Sequence, residues 1–104
     1  MDVQLRKGLL ELCVLAVLRE QDSYGYQIVR DVSECIEISE STLYPILRRL
    51  ESDKKVSSYN TEFNNRIRKY YSITDKGFDA LEEFSKEKEK LIKVLNYIGG
   101  TNYE

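Results

Sequence analysis

The spacing of apolar residues along the chain predicts four helices and a β-hairpin. The first helix covers residues 5–20, which are apolar on nearly every side, with Glu11 as the only charged residue between Gly8 and Arg19. A helix that is apolar all round has to be covered all round. The other elements of so short a chain cannot easily cover it, so we expect part of this helix, including Leu9, to face a second subunit.

Two further helices follow, joined by a brief connection. Ser23 is predicted to cap a helix over residues 24–34, and Ser39 to cap one over residues 39–51. Gly25 costs up to about 1 kcal/mol within a helix, which indicates close approach to a neighbouring helix. The later helix has one apolar stripe at the i, i+3, i+4, i+7 spacing, formed by Leu43, Ile46, Leu47 and Leu50. Such a helix pair is typical of a helix-turn-helix.

The outward residues of the helix over residues 39–51 suit a DNA-reading surface. They are two hydroxyls, a phenol and two guanidinium groups, which bind phosphates and base edges: Ser41, Thr42, Tyr44, Arg48 and Arg49. Taken alone, however, the helix fits an ordinary charged surface helix better than a DNA-reading one.

Residues 56–73 are rich in β-forming residues and predict a hairpin. Its strands, about 56–62 and 67–73, flank a turn at Phe63-Asn64-Asn65-Arg66, because Asn tolerates the left-handed backbone conformation. Three cations lie at its tip, namely Arg66, Arg68 and Lys69. After a helix-turn-helix, we interpret this hairpin as a DNA-binding wing. The alternative is a solvated turn whose charges discourage edge pairing.

The remaining residues predict one long helix, with Thr74 as its N-cap. From Asp75 to Ile98 it would be about 36 Å long. Its seam residues step by three and four, as in a coiled coil: Leu81, Phe84, Lys88, Leu91, Leu95 and Ile98. A domain with a radius of gyration of about 13 Å cannot cover this stripe, so we predict pairing with a second copy. A helix packed on its own core with a frayed end is the alternative.

The predicted fold is therefore mainly α with a small β-hairpin. We expect one compact unit with two parts, a winged helix-turn-helix DNA-binding domain over residues 1–74 and a C-terminal dimerisation helix over residues 75–104.

Composition narrows the classes of function. The 104 residues include no histidine, which removes the usual general base and the commonest zinc ligand. We therefore predict no enzymatic activity, no cofactor and no metal site. The longest apolar run, residues 12–18, is far shorter than a membrane span, and no signal peptide is visible, so a cytoplasmic protein is expected. Cys13 and Cys35 are both expected to be buried.

The net charge of −2 conceals an uneven distribution. Residues 39–71 hold seven cations and four anions, a balance of +3, whereas the segments before and after them are acidic. Because a local basic patch, rather than the total charge, attracts a polyanion, the chain is compatible with a nucleic-acid partner.

Three segments together resemble the PadR family of bacterial transcriptional regulators, in its short form with a single C-terminal helix: Tyr24-Gly25-Tyr26, Ser41 to Glu51, and Arg66 to Gly77. The resemblance covers residues from about 5 to 98. It implies a winged helix-turn-helix homodimer, usually a repressor, that binds a palindromic operator in double-stranded DNA. It also implies that the N-terminal and C-terminal helices build the dimer interface.

By position, the resemblance implies major-groove contacts for Ser41, Thr42 and Tyr44 and wing contacts for Arg66, Arg68 and Lys69. The chain departs from the family pattern at Ser41, where Gly is usual, and in the wing, where Asn64-Asn65 and Ile67 replace Gly and Pro. Some relatives bind a small-molecule effector between the subunits. Phe84 and Tyr97 are candidates to line such a space here, or else packing residues. A winged-helix module that docks an acidic protein is the competing function.

Overall fold

The computed structural model describes residues 1–100, and in that range it contains five α-helices and a three-stranded antiparallel sheet. The elements in chain order are α1 (Val3–Glu20), β1 (Ser23–Tyr24), α2 (Gly25–Ser33), α3 (Glu40–Ser52), β2 (Val56–Phe63), β3 (Arg66–Ile73), α4 (Asp75–Lys86) and α5 (Lys88–Ile98). This architecture confirms the prediction of a mainly α winged helix-turn-helix with a hairpin. The end of the predicted C-terminal segment, residues 101–104, lies outside the described residues.

The core is built around α1, which contacts α2, α3, α4 and β3. Leu10, Val14, Leu15 and Leu18 of α1 are buried, and the predicted apolar stripe of α3 is buried against them. Burial of each such side chain stabilises the fold by about 1.5–3 kcal/mol. The orientation of α3 is therefore fixed by the side of the helix that its leucines and isoleucine occupy.

The hairpin of β2 and β3 has the predicted position, but its turn is shorter than predicted, because Phe63 and Arg66 belong to the strands. The two strands pair from Val56 opposite Ile73 to Phe63 opposite Arg66. Asn64 and Asn65 connect them with φ angles of 51° and 63°, the left-handed conformations that a two-residue hairpin turn requires.

The sequence predicted a two-stranded hairpin, but the structure has a third strand, β1. Ser23 pairs with Tyr71 and Tyr24 pairs with Tyr70, so β3 is the central strand, in the order β1-β3-β2. The predicted capping of α2 by the Ser23 side chain is wrong, because residue 23 is buried in the sheet and α2 begins later, at Gly25.

The start of α4 is fastened to the corner between α3 and β2. Thr74 accepts a hydrogen bond from the Gly77 amide (3.2 Å), as predicted for an N-cap, and its hydroxyl donates to the Lys54 carbonyl (2.6 Å). Gly77 lies so close to this corner that a Cβ there would be 2.6 Å from Cγ1 of Ile73 and nearer still to the Lys55 carbonyl oxygen.

The C-terminal helix differs from the prediction, because it is interrupted at Glu87. The Glu87 amide donates to the Phe84 carbonyl (3.1 Å), three residues back, and α4 ends there. Residues 85–90 are Ser, Lys and Glu, all exposed, so no apolar packing holds this stretch to a single straight path. α5 makes its main contact with α4 and extends the molecule to 57 Å, and the radius of gyration is 15.6 Å.

We predict that Gly77→Ala lowers the free energy of unfolding by about 1–3 kcal/mol, because the added Cβ meets the rigid Lys55 backbone. The matched control is Gly8→Ala in α1, where the described residues leave the Cβ position open and the free energy should stay unchanged or rise by up to about 1 kcal/mol. Urea denaturation measures both, and an equal loss in the two variants contradicts the prediction.

Candidate nucleic-acid interface

The N-terminus of α3 carries a cluster of exposed hydroxyl groups. Ser39 caps the helix, as predicted, by accepting a hydrogen bond from the Thr42 amide (3.3 Å). Its hydroxyl also lies 3.0 Å from the Ser41 hydroxyl and 3.2 Å from the Thr42 hydroxyl. The cap therefore orients Ser41 and Thr42, the two predicted base-contacting hydroxyls, at the exposed end of the helix.

The five predicted residues of α3 occupy different sides of its exposed surface. Tyr44 borders a cleft towards the hairpin, while Thr42 and Arg49 border a groove towards α1. Ser41 and Arg48 are exposed, seven residues apart, so they lie on one side two turns from each other. A ligand that contacts all five residues therefore has to reach several sides of the helix.

Tyr44 is positioned by the close approach that Gly25 was predicted to allow. A Cβ at residue 25 would lie 3.0 Å from Cζ of Tyr44 and nearer still to its hydroxyl oxygen. Burial, and then the neighbouring Glu40 carboxylate, raise the pKa of the Tyr44 phenol above its ordinary value of 10.0. The side chain is therefore a neutral phenol at physiological pH and can both donate and accept a hydrogen bond.

The three cations of the hairpin point to two faces of the sheet. Arg66 and Arg68 share one face, where Cζ of Arg68 lies 4.0 Å from the ring centre of Tyr24 and 4.2 Å from that of Phe63. Lys69 lies on the opposite face, with Nζ 5.5 Å from the Tyr71 ring centre. The hairpin thus presents positive charge on both of its sides.

These cations and α3 enclose an open cleft of about 830 Å³. Its lining includes Tyr44 from α3 and all three hairpin cations, and Glu40 is the one acidic residue among the described residues that line it. The structure therefore brings together the hairpin group and the Tyr44 side of α3, as a single concave and mainly positive surface.

A second set of cations, missed by the sequence analysis, lies on the other side of α3. Arg6 and Lys7 of α1 line a groove of about 430 Å³ together with Thr42 and Arg49. Arg49 also forms an ion pair with Glu11 (3.4 Å), and the Arg6 guanidinium donates to the Glu37 carbonyl. Residues 1–38 are acidic as a whole, so only the packing of α1 beside α3 reveals that these two cations join the site.

The residues predicted for the dimer interface divide between core and surface. Leu81 is buried at 8% exposure, and Leu9 is half-buried. Phe84 of α4 and four residues of α5 are exposed, namely Lys88, Leu91, Leu95 and Ile98; Leu95 retains 53% and Ile98 74% of its surface. An apolar row along α5 is therefore exposed to solvent.

Other candidate chemistry is limited. Within residues 1–100, no three His, Cys, Asp or Glu side chains are close enough to hold a metal ion, and no helix is long and apolar enough to cross a bilayer. The expected burial of both cysteines is wrong, because Cys35 is exposed and Cys13 is half-buried. Burial, and then the nearby Cys35 thiol, raise the pKa of Cys13.

Comparisons with known proteins agree with this architecture. The chain matches the sequence model of the "Transcriptional regulator PadR-like family" over residues 14–83. A transcriptional regulator from Clostridium thermocellum superposes with a TM-score of 0.81 at 33% identity, covering 93% of this chain and 96% of that one. A PadR family transcriptional regulator from Eggerthella lenta superposes with a TM-score of 0.81 at 37% identity, covering 96% and 89%.

A more distant similarity involves a DNA complex. Bacillus subtilis PadR in complex with operator DNA superposes with a TM-score of 0.68 at 23% identity, covering 73% of this chain and 46% of that one. At this level of identity the similarity concerns the fold alone.

We predict that Gly25→Ala costs about 1–2 kcal/mol of stability, because the new methyl group displaces the Tyr44 ring. In a Tyr44→Ala background the same change should cost nothing, since the obstructing ring is gone. Urea denaturation of the four proteins in this double-mutant cycle measures the coupling. An equal cost in both backgrounds means that Gly25 is required for another reason.

Proposed function

Because the chain belongs to the PadR-like family of transcriptional regulators, we propose that it is a repressor that binds a palindromic DNA operator as a homodimer. Members of this family are regulators and not enzymes, in agreement with the predicted lack of catalysis. A protein that binds chromosomal DNA in a bacterium works in the cytoplasm. The observation that carries the proposal is the position of α3, which borders the hairpin cations through Tyr44 and the cations of α1 through Thr42.

We assign base reading to the N-terminal part of α3. The major groove of B-DNA is about 12 Å wide and admits an α-helix, and helix-turn-helix proteins use the N-terminal residues of the second helix to contact base edges. Ser41 and Thr42 offer hydroxyls to either base type, and Tyr44 offers a neutral phenol. The complex of Bacillus subtilis PadR with operator DNA supports DNA as the ligand of this surface, because that protein has a similar fold.

We assign phosphate binding to the cations that flank α3. On the hairpin side, the DNA backbone would be contacted by Arg66, Arg68 and Lys69. On α3 itself, it would be contacted by Arg48 and Arg49. Arg6 and Lys7 would extend these contacts across the opposite edge of the groove. Phosphate contacts of this kind fix the position of a protein on DNA without reading sequence.

We assign dimerisation to the C-terminal segment, residues 75–104, with the winged helix-turn-helix in residues 1–74. The exposed row of Leu91, Leu95 and Ile98 is supported as an interface by its coil-like spacing, with Phe84 and Lys88 continuing it. Leu9 on α1 would add to the contact, and Leu81, buried in the protomer, would support α4 from beneath. A two-fold pair would place its recognition helices about 34–36 Å apart.

Release by a small-molecule effector has less support. Phe84 and Tyr97, the two aromatic candidates, are 37% and 86% exposed, and both lie in the segment that we assign to the interface. We therefore assign both to dimer packing and assign no effector site.

We predict a salt-dependent footprint on the DNA upstream of the protein's own gene. Arg66→Ala should weaken binding to all sequences alike and reduce the slope of log K against log salt by about 1. Thr42→Ala should instead reduce discrimination between operator and mutated sites by about 1–3 kcal/mol at one base pair. Arg19→Ala, at the distant end of α1, is the control and should change neither. If the wild-type protein binds no DNA at low ionic strength, the proposed function is wrong.

We predict that Leu95→Glu converts the dimer to a monomer, because a carboxylate within an apolar helix seam is desolvated without a partner. The control is Lys93→Glu on the same helix, which changes charge at an exposed position outside the predicted seam. Sedimentation equilibrium measures the oligomeric state of both variants. An unchanged dimer constant in Leu95→Glu would place the interface elsewhere.

A further inference from the structure

One arginine of the hairpin is held between two aromatic rings. Arg68 is half-buried, with its Cζ 4.0 Å from the ring centre of Tyr24 and 4.2 Å from that of Phe63. Both distances are well within the 6 Å range of a cation–π contact. Because Arg68 is on the central strand β3, and the rings come from β1 and β2, all three strands contribute to this arrangement.

The rings leave the hydrogen-bonding edge of Arg68 available. A guanidinium stacks through its flat faces and donates its hydrogen bonds in its plane, so aromatic packing and phosphate binding can occur together. Within residues 1–100, the ion pairs are Arg19–Glu20, Arg49–Glu11 and Lys86–Glu83, and Arg68 has no carboxylate partner. The donors of Arg68 are therefore oriented by packing and free to meet an anion.

The Tyr24 ring is itself held by a row of aromatic contacts. Its centre lies 5.4 Å from that of Tyr70, which lies 5.8 Å from Tyr59 in a stacked geometry. The Tyr59 hydroxyl donates to a carboxylate oxygen of Asp22 (2.6 Å), and this bond is the main cause of the raised pKa of Tyr59. Asp22 thus connects the far end of the row back to the strand that carries Tyr24.

Tyr24 also joins the hairpin to α3 through the next residue. Gly25 follows it directly and lies beneath the Tyr44 ring of α3. Two consecutive residues therefore contact a predicted phosphate-binding arginine and a predicted base-reading tyrosine. The separation between these two contacts is set by one short stretch of backbone.

We propose that Tyr24 and Phe63 are positioning residues for DNA binding, which hold the Arg68 guanidinium towards a phosphate before DNA arrives. The inference rests on the proposed function, in which the hairpin meets the DNA backbone. A free arginine side chain samples many rotamers, and binding would remove this freedom. Arg68 has given up much of this freedom in the folded protein, whereas the exposed Arg66 at the hairpin tip has not.

The test is a double-mutant cycle on DNA affinity, measured by fluorescence anisotropy over a series of salt concentrations. Phe63→Leu keeps an apolar side chain but removes the aromatic face, and should weaken binding by about three- to tenfold. Tyr24→Leu should act in the same way. The conservative variants Phe63→Tyr and Tyr24→Phe keep the rings and should bind DNA with wild-type affinity. In an Arg68→Gln background, Phe63→Leu should have no further effect.

Two outcomes overturn the proposal. Equal weakening by Phe63→Leu in the presence and absence of Arg68 would show that Phe63 acts without the arginine. Unchanged affinity in both leucine variants would show that the rings do not position it. Far-ultraviolet circular dichroism and urea denaturation of each variant establish that the proteins compared are folded.

A second measurement needs no DNA and separates this proposal from the proposed function. The aromatic rings should shift the side-chain proton resonances of Arg68 upfield in the free protein, with assignment by Arg68→Gln. Phe63→Leu should move these resonances towards their ordinary positions. If the free protein shows no such shift, the rings do not hold Arg68, even where DNA binding is confirmed. If the shift is present but no DNA binds, the proposed function fails instead.

Discussion

The packing of α1 against three helices and the central strand determines where every candidate site residue lies. α3 is turned by the burial of its apolar stripe on α1, and this leaves Ser41, Tyr44 and Arg48 exposed. The sheet is held to the same helix through β3, so the hairpin has a defined direction relative to α3. The geometry of the interface is therefore a consequence of apolar burial, and the polar groups at the surface do not themselves create it.

Much of this fold follows from local patterns in the sequence. The α3 stripe and the Asn64-Asn65 turn are predicted by periodicity and by the backbone preference of Asn. β1 is different, because two residues are too few to show a period and become a strand only through pairing with Tyr70 and Tyr71. The break at Glu87 is equally invisible, since residues 85–90 are compatible with a continuous helix and only the lack of packing distinguishes them.

The candidate site shows the same limit. The chemistry of the residues in α3 and the hairpin could be predicted, because hydroxyls, phenols and guanidinium groups are what phosphates and bases require. The residues that pack beside them could not be predicted. Arg6 and Lys7 belong to an acidic segment of the sequence, and the rings around Arg68 come from positions 24 and 63. Both groups are assembled by tertiary packing, which brings together residues that are distant in the chain.

The exposed apolar side chains of α5 have a consequence for how the protein responds to its own abundance. If a helix packs only against a second copy of the chain, the dimer concentration rises with the square of the free protomer concentration. Under the pairing proposed for residues 75–104, the amount of competent protein would rise more steeply than the amount synthesised. Dilution as the cell grows would then lower the dimer concentration by a larger factor than the total protein concentration, and the dimer constant of α5 would set the threshold.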